Sequence, residues 1–283
     1  MFDFPENWIF GWEIIKFLDG IVDWVVVTFE PFFHVVNIVL LRGFLVPFQN
    51  FLTWLPWWAV ILITGIAAWR ALNLRFAILA ASFMLVINII GLHELAMMTL
   101  AITLTSTILC IIIGIPLGIG ASRSDRVNSF LKPILDGMQT MPSFVYLIPA
   151  LMIFGMGMTP AVMATVIYAI PPIIRLTNLG IRQVDPQIME ASLSFGTTPS
   201  QILRKVQIPL AMPTILAGIN QTIMMALAMV VLASMIGAKG VGSEVLTAIN
   251  RLEVGRGFLG GITIVFMAII LDRISQGIAK KNQ

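Results

Sequence analysis

An all-α bundle of about seven membrane-crossing helices is the fold class the sequence predicts, on three observations. Hydrophobic residues make up 58% of the 283 residues and charged residues only 11%, against about 25% charged in soluble domains. The mean hydropathy is +0.96. Uncharged runs reach spanning length: residues 95–121 form one of 27 residues, where a helix needs about 20 to cross a hydrocarbon core of about 30 Å.

Taken in order, residues 1–50 form the first segment, apolar but interrupted by Asp19, Asp23, Glu30, Pro31, His34, Asn37 and Arg42. A charge at mid-membrane costs at least about 2.5 kcal/mol. This segment therefore reads as amphipathic helices on the outer leaflet, with an eighth span as the alternative. The start "MFDFPENWIFGWEIIKF" has Asp3, Glu6 and Glu13 where a signal peptide carries Lys or Arg, so it is expected to stay on the mature chain. Residues 51–283 form the transmembrane domain, with spans at 52–69, 76–92, 95–121, 137–155, 159–174, 215–238 and 257–271. The uncharged stretch 137–174 is too long for one crossing, and "GMGMTP" at 155–160 turns it back. The last span is short and is accommodated by little tilt or by local thinning.

Placing the loops alternately on two sides collects Arg70, Arg75, Arg123, Arg126, Lys132, Arg175, Arg182, Arg204, Lys205, Arg273, Lys280 and Lys281 on one of them. Lys16, Arg42, Lys239, Arg251 and Arg256 remain on the other. The positive-inside rule makes the first side cytoplasmic, which puts the N-terminus outside and the C-terminus inside a cell membrane. Trp54, Trp57 and Trp58 suit the outer interface, where indoles settle at headgroup depth. Because the basic residues mark loops rather than a stripe, the net charge of +3 implies no nucleic-acid partner.

Chemistry of the chain's own is poorly represented. Cys110 lies in an apolar run and reads as a buried structural thiol. His34 and His93 have no ligand-spaced partners, so no metal site is expected. A phosphate-binding loop of the form G-x-x-x-x-G-K-[ST] is missing. The stretch "GAKGVGS" at 237–243 has its lysine between the glycines and reads as a turn or gate loop. Nor does a Ser, His and acid constellation stand out among the spans.

The stretch "EASLSFGTTPSQILRKVQIPLAMP", residues 190–213, breaks the apolar pattern on the cytoplasmic side. Asp185 can cap a first helix with Pro186 at its first position, ending at Gly196 in the left-handed conformation. Thr198 caps a second helix, with Pro199 at its first position, that runs to Pro209. Ile188, Ala191 and Phe195, then Ile202 and Val206, give each helix an apolar face. Periodicity alone leaves two readings open, a loop packed on its own bundle and a docking handle for a second protein.

The residue pattern separates them. Glu190-Ala191-Ser192, then Gly196, then Ile208-Pro209 resembles the "EAA" loop of ABC importer permeases, with Ser192 in place of the second alanine and Ile208 directly before Pro209. "LDGMQTMPSFVYLIPALMIFGMG", "AIPPIIRLTNLGIRQV", "KVQIPLAMPTILAGINQTIMMALAMVVLASMIGAKGVGSEV" and "LDRISQ" look like the permease subunit of glycine betaine and proline betaine importers. The resemblance covers residues 95–276. It implies a bundle of the methionine-permease-like type whose helix-turn-helix at about 185–209 couples to an ATP-binding cassette ATPase subunit through Glu190, Ala191, Ser192, Gly196, Thr198, Pro199, Ile208 and Pro209. It also implies a second permease, either another copy of this chain or a related one, and an external substrate-binding protein, with ATP and Mg on the ATPase and no cofactor on this chain. The function expected is therefore import of a betaine-type solute. The alternatives are a permease for another small amino-acid-like solute and an ion-coupled carrier.

Ion-coupled carriers place acidic groups within the membrane, yet the spans from 76 to 121 and from 137 to 174 have Glu94 only at a loop. Asn88, Thr103, Thr105, Ser106, Thr107, Gln139, Asn220 and Gln221 are mid-span polar groups that bond helix to helix or line a passage for a small zwitterion. Gln139, Phe144, Tyr146, Asn220 and Gln221 are the candidates for the passage. Any aromatic cage for a quaternary ammonium belongs, by the resemblance, to the external binding protein.

Overall fold

The computed structural model describes residues 11–281; the acidic start around Asp3 and Glu6 lies outside the described residues. Every regular element among them is a helix. In chain order these are α1 (Gly11–Leu40), continued by a π turn (Leu41–Leu45) into α2 (Val46–Trp54), then α3 (Trp57–Ala71), α4 (Leu74–Ile90), α5 (His93–Arg123) and α6 (Asp125–Thr140). A 3-10 turn (Ser143–Tyr146) leads into α7 (Leu147–Phe154), followed by α8 (Met158–Ala169), α9 (Pro171–Arg182), α10 (Pro186–Ser194) and α11 (Pro199–Ile202). A second π turn (Leu203–Gln207) leads into α12 (Ile208–Leu232), and α13 (Val241–Arg251) and α14 (Val254–Lys281) complete the chain.

Each of the seven expected spans falls on a helix or helix pair, with shifted bounds. Five stretches are long and apolar enough to cross a membrane: Gly11–Trp54, His93–Arg123, Met158–Arg182, Pro199–Ile236 and Val254–Ala279. The span expected at 137–155 falls on α6 and α7, which bend by 108° at the break between them and make a sixth crossing only if taken together. Those expected at 52–69 and 76–92 become α3 and α4, of 15 and 17 residues, about 22–26 Å long at 1.5 Å per residue. The apolar run at 52–69 is cut because Pro56 holds an extended conformation between α2 and α3. α3 and α4 pack on each other and on α14 and α5 through Val60, Met84, Ile87, Met97, Met267 and Ile270.

Two more boundaries move. The helix from Gly11 to Trp54 runs unbroken across the expected division at residue 50, and the helix begun at α11 does not stop at Pro209. Both crossings use one device. Each π turn stands directly before a proline-bearing turn, and Val46 and Ile208 donate their N–H groups five residues back, to the carbonyls of Leu41 and Leu203. In a regular helix Pro47 and Pro209 would clash with the carbonyl four residues earlier. The wider turn relieves that clash and lets the helix continue.

At the centre α9 is held between α5 and α12 by close backbone approach. A Cβ on Gly118 would lie 2.6 Å from Thr177 Cβ and 2.8 Å from the Ile174 carbonyl, and one on Gly114 would lie 2.4 Å from Ile173 Cγ2. Gly180 faces Thr214 and Ala211, and Gly218 faces Leu176 and Ile173. The numbering rises together along α5 and α9 and opposes along α12, so α5 and α9 are parallel and α12 is antiparallel to both. Cys110 is buried here, its thiol 3.6 Å from the Val166 carbonyl.

Polar ties mark the two ends of the bundle. At one, Arg182 donates to the Ala121 carbonyl at 2.8 Å and pairs with Asp125 at 2.7 Å. At the other, the Val241 N–H donates to Thr99 Oγ1 at 2.9 Å and the Gly157 N–H to the Ile236 carbonyl at 3.0 Å.

Gly118→Ala is expected to destabilise the chain by about 1–3 kcal/mol through overpacking against backbone. Gly120 is the control, because a Cβ there meets nothing within 4 Å and Gly120→Ala should gain up to about 1 kcal/mol from helix propensity. Thermal unfolding midpoints in one detergent compare the two, and equal midpoints for Gly118→Ala and the parent would contradict the close approach.

Candidate functional site

The helix-turn-helix after α9 forms as its local chemistry dictates. Asp185 caps α10 by accepting from the Gln187 N–H at 2.8 Å, with Pro186 at the first position. At the other end Gly196 takes φ +77°, the Gly196 N–H donates to the Leu193 carbonyl at 2.9 Å and the Thr197 N–H to the Ser192 carbonyl at 3.4 Å. This paired closure is the Schellman stop, which needs a left-handed residue. Ser192, the departure from the EAA pattern, donates its hydroxyl to the Ile188 carbonyl at 2.7 Å. Its polarity is thereby absorbed within α10, and the substitution for alanine leaves the helix intact.

Thr198 then starts α11 with a full capping box. Its hydroxyl accepts from the Gln201 N–H, while the Gln201 side chain accepts from the Thr198 N–H at 2.9 Å. Sequence reading found the cap and Pro199 but missed Gln201, although Thr followed three residues later by Gln is the signature of that box.

The two helices differ in what covers them. Ile202 is buried, and Leu203 directly after it packs with Ile181, Ala211 and Ile215, so α11 is seated on its own bundle. No residue of α10 is buried. Ile188 is 41% exposed, Leu193 54% and Phe195, at the tip, 86%. Glu190 is exposed on the same short helix. The unit thus presents one apolar, unpartnered helix on a firmly anchored second one.

The five passage candidates do not meet in one cavity. Gln139 and Phe144 are exposed near the bend between α6 and α7. Tyr146 is buried and donates its hydroxyl to the Met138 carbonyl at 2.7 Å, across that bend. Asn220 donates to Asp272 at 3.0 Å and accepts from the Ser275 hydroxyl, while Gln276 donates to the same Asp272 oxygen at 2.7 Å. Asn220 thus ties α12 to α14, and Gln221 beside it is exposed. Asp272 escaped notice because the last span was ended at residue 271; the apolar spacing of Ile274 and Ile278 carries the helix on.

A second polar feature was also missed. Asp125, Asn128, Lys132 and Asp136 recur at three- and four-residue spacing on α6, as do Arg175, Asn178 and Arg182 on α9. Across the gap Arg175 pairs with Asp136, Asn178 donates to Asn128 at 2.8 Å, and Arg182 bonds Asn178 at 2.9 Å. Asn128, Lys132, Asp136, Arg175, Asn178 and Arg182 border a cavity of about 510 Å³.

The glycine-rich stretch at 237–243 spends its amides inside the protein. The Gly237, Ala238 and Val241 N–H groups donate to Ser234, Ala233 and Thr99, so they are not offered to a phosphate. No group of three metal-ligating side chains occurs among the described residues.

Comparison with known proteins adds independent observations. Residues 110–282 match the family described as binding-protein-dependent transport system inner membrane component. The chain is 47% identical over 265 residues to the glycine betaine/proline betaine transport system permease protein ProW of Escherichia coli strain K12, covering 93% of this chain and 74% of that one. It is 46% identical over 266 residues to the glycine betaine transport system permease protein OpuAB of Bacillus subtilis strain 168, covering 94% of each. Among solved structures, a chain from inward-facing conformations of the MetNI methionine ABC transporter aligns with a TM-score of 0.61 at 20% identity, over 68% of this chain and 96% of that one. That likeness establishes a shared fold.

Thr198→Ala removes one acceptor of the capping box and should weaken the start of α11 by about 1 kcal/mol. Hydrogen exchange should quicken at residues 200–202 while the α9 amides stay protected. Unchanged exchange there would show that the bundle, rather than the cap, holds this turn.

Proposed function

The chain belongs to the family of inner membrane components of binding-protein-dependent transport systems, and from that premise we propose that it is the membrane-spanning permease subunit of an ATP-driven importer of glycine betaine and related betaines. The chain is a transport subunit rather than an enzyme, and the family implies an ATPase subunit and a substrate-binding protein as partners. ATP and Mg act on the ATPase, and a second permease copy completes the passage. The chain is a multi-pass inner membrane protein, with the coupling loop and C-terminus in the cytoplasm.

The observation that carries this reading is the contrast between α10 and α11. A loop that served only its own bundle would bury both apolar faces; here α10 leaves Ile188, Leu193 and Phe195 exposed while α11 continues without a break into α12. That arrangement suits a handle. The ATPase grips α10, the left-handed joint at Gly196 keeps the angle, and the rod carries the motion into the bundle. Phe195 serves as the apolar anchor and Glu190 as a polar contact at its rim. The identities of 46–47% to the betaine permeases support the substrate class.

Vesicles holding this chain with its ATPase and binding protein should take up labelled glycine betaine only with ATP. Uptake driven by a proton gradient without ATP would favour an ion-coupled carrier. Phe195→Ala should weaken ATPase association by about 1.5–3 kcal/mol, the burial worth of such a side chain. Gly196→Val should uncouple hydrolysis from uptake with normal insertion, since a Cβ at a left-handed position costs about 1–2 kcal/mol and β-branching adds to it. Wild-type coupling in both variants would return the loop to an ordinary packed one. For orientation, Ser200→Cys should be shielded from an impermeant thiol reagent outside intact cells and Lys239→Cys should react; the reverse pattern inverts the topology.

A further inference from the structure

The cavity of about 510 Å³ between α6 and α9 reaches the coupling-loop end, where Ala121 and Arg182 border it. One of its walls belongs to the broken span formed by α6 and α7. Such breaks occur at membrane depth where the backbone borders protein or a water-filled cavity, and they recur at transport sites. The lining divides by chemistry. Leu131, Leu135, Ile174 and Leu179 supply an apolar side, and Lys132 stands among the polar groups.

The charges are nearly balanced. Arg175 is paired with Asp136 and Arg182 with Asp125, while Lys132 has no ion pair among the described residues. The lining itself holds Lys132, Arg175, Arg182 and Asp136; with Asp125 pairing Arg182 from outside the lining, the unpaired positive charge is that of Lys132, on a flexible stem. A betaine matches this division. Its carboxylate needs a cationic donor, and its methylated nitrogen has no N–H to satisfy and packs against apolar carbon. Lys132, Asp136 and Gln139 also follow one another at four- and three-residue spacing, so they share a face of α6 that leads toward the bend and Phe144.

We infer that this cavity is the inner vestibule of the passage, holding the solute by its carboxylate on Lys132 with its methyl groups against the Leu131 and Leu179 side. The inference rests on the betaine reading above and adds the residues that meet the solute before release. A single exposed lysine makes a weak contact, as a transport site must if the solute is to leave. An anionic lipid headgroup is the other possible occupant, but two carboxylates offset two of the three cations, which suits a zwitterion better than a phosphate.

The test uses the complete transporter in vesicles with the coupling-loop side accessible. Cys110 is 0% exposed, so a thiol placed by Leu179→Cys is the reactive one, and Leu131→Cys serves if that variant folds poorly. Millimolar glycine betaine is expected to slow maleimide labelling at this position several-fold, choline to do so much less, and Lys132→Gln to abolish the protection. Normal betaine uptake with labelling unaffected by betaine overturns the vestibule alone. Protection that follows anionic lipid content instead of betaine assigns the cavity to a headgroup and overturns it as well. Failure of the parent transporter to take up betaine overturns the substrate reading, and this inference with it.

Discussion

The seating of α9 between α5 and α12 is the contact on which the rest of the chain depends. At Gly114, Gly118, Gly180 and Gly218 the facing helix leaves no room for a side chain, an added Cβ lying 2.4–3.1 Å from its nearest atom. Within a membrane apolar side chains gain little by leaving lipid for protein, so closely fitted backbones supply the attraction that water would otherwise enforce. The same two helices, α9 and α12, flank the coupling loop. A force on the loop therefore enters the bundle where its members are least free to slide.

The loop itself combines stiff pieces with one defined joint. From Pro199 to Ile236 the chain is a single helical stretch of 38 residues, kept continuous by the π turn before Pro209. Its far end is held where the Gly157 N–H bonds the Ile236 carbonyl and Val241 bonds Thr99. Thr99 belongs to α5 and Gly157 to the turn before α8, so one rod links the coupling loop to the opposite ends of two neighbours. α10, by contrast, is joined through the cap at Asp185 and the left-handed turn at Gly196. It is the element free to follow a partner.

Polar groups are distributed accordingly. Along α5, Thr99, Thr103 and Thr107 return their hydroxyls to carbonyls four residues earlier, which satisfies them inside their own helix. The hydroxyls of Thr105, Ser106, Thr177 and Thr222 are buried without a partner on the three helices of the central seam, where small side chains permit the close approach. Ion pairs gather on the α6 and α9 faces at the coupling-loop end, and Asp272 is held by Asn220 and Gln276.

The sequence by itself determined the class of protein, the caps at Asp185 and Thr198, the left-handed stop at Gly196 and the place of the coupling loop. Each rests on composition or on interactions within a few residues, which short stretches carry in full. The tertiary structure alone decided that α10 stays uncovered while α11 is buried, since periodicity shows that a face is apolar but not what lies against it. It also decided that Tyr146 and Asn220 are tied into the bundle, that Asp272 lies within a helix, and that α6 and α9 enclose a cavity between charged faces. Helix ends moved for a related reason. Pro209 reads as a helix end under local rules, and the π turn before it lets the helix run on.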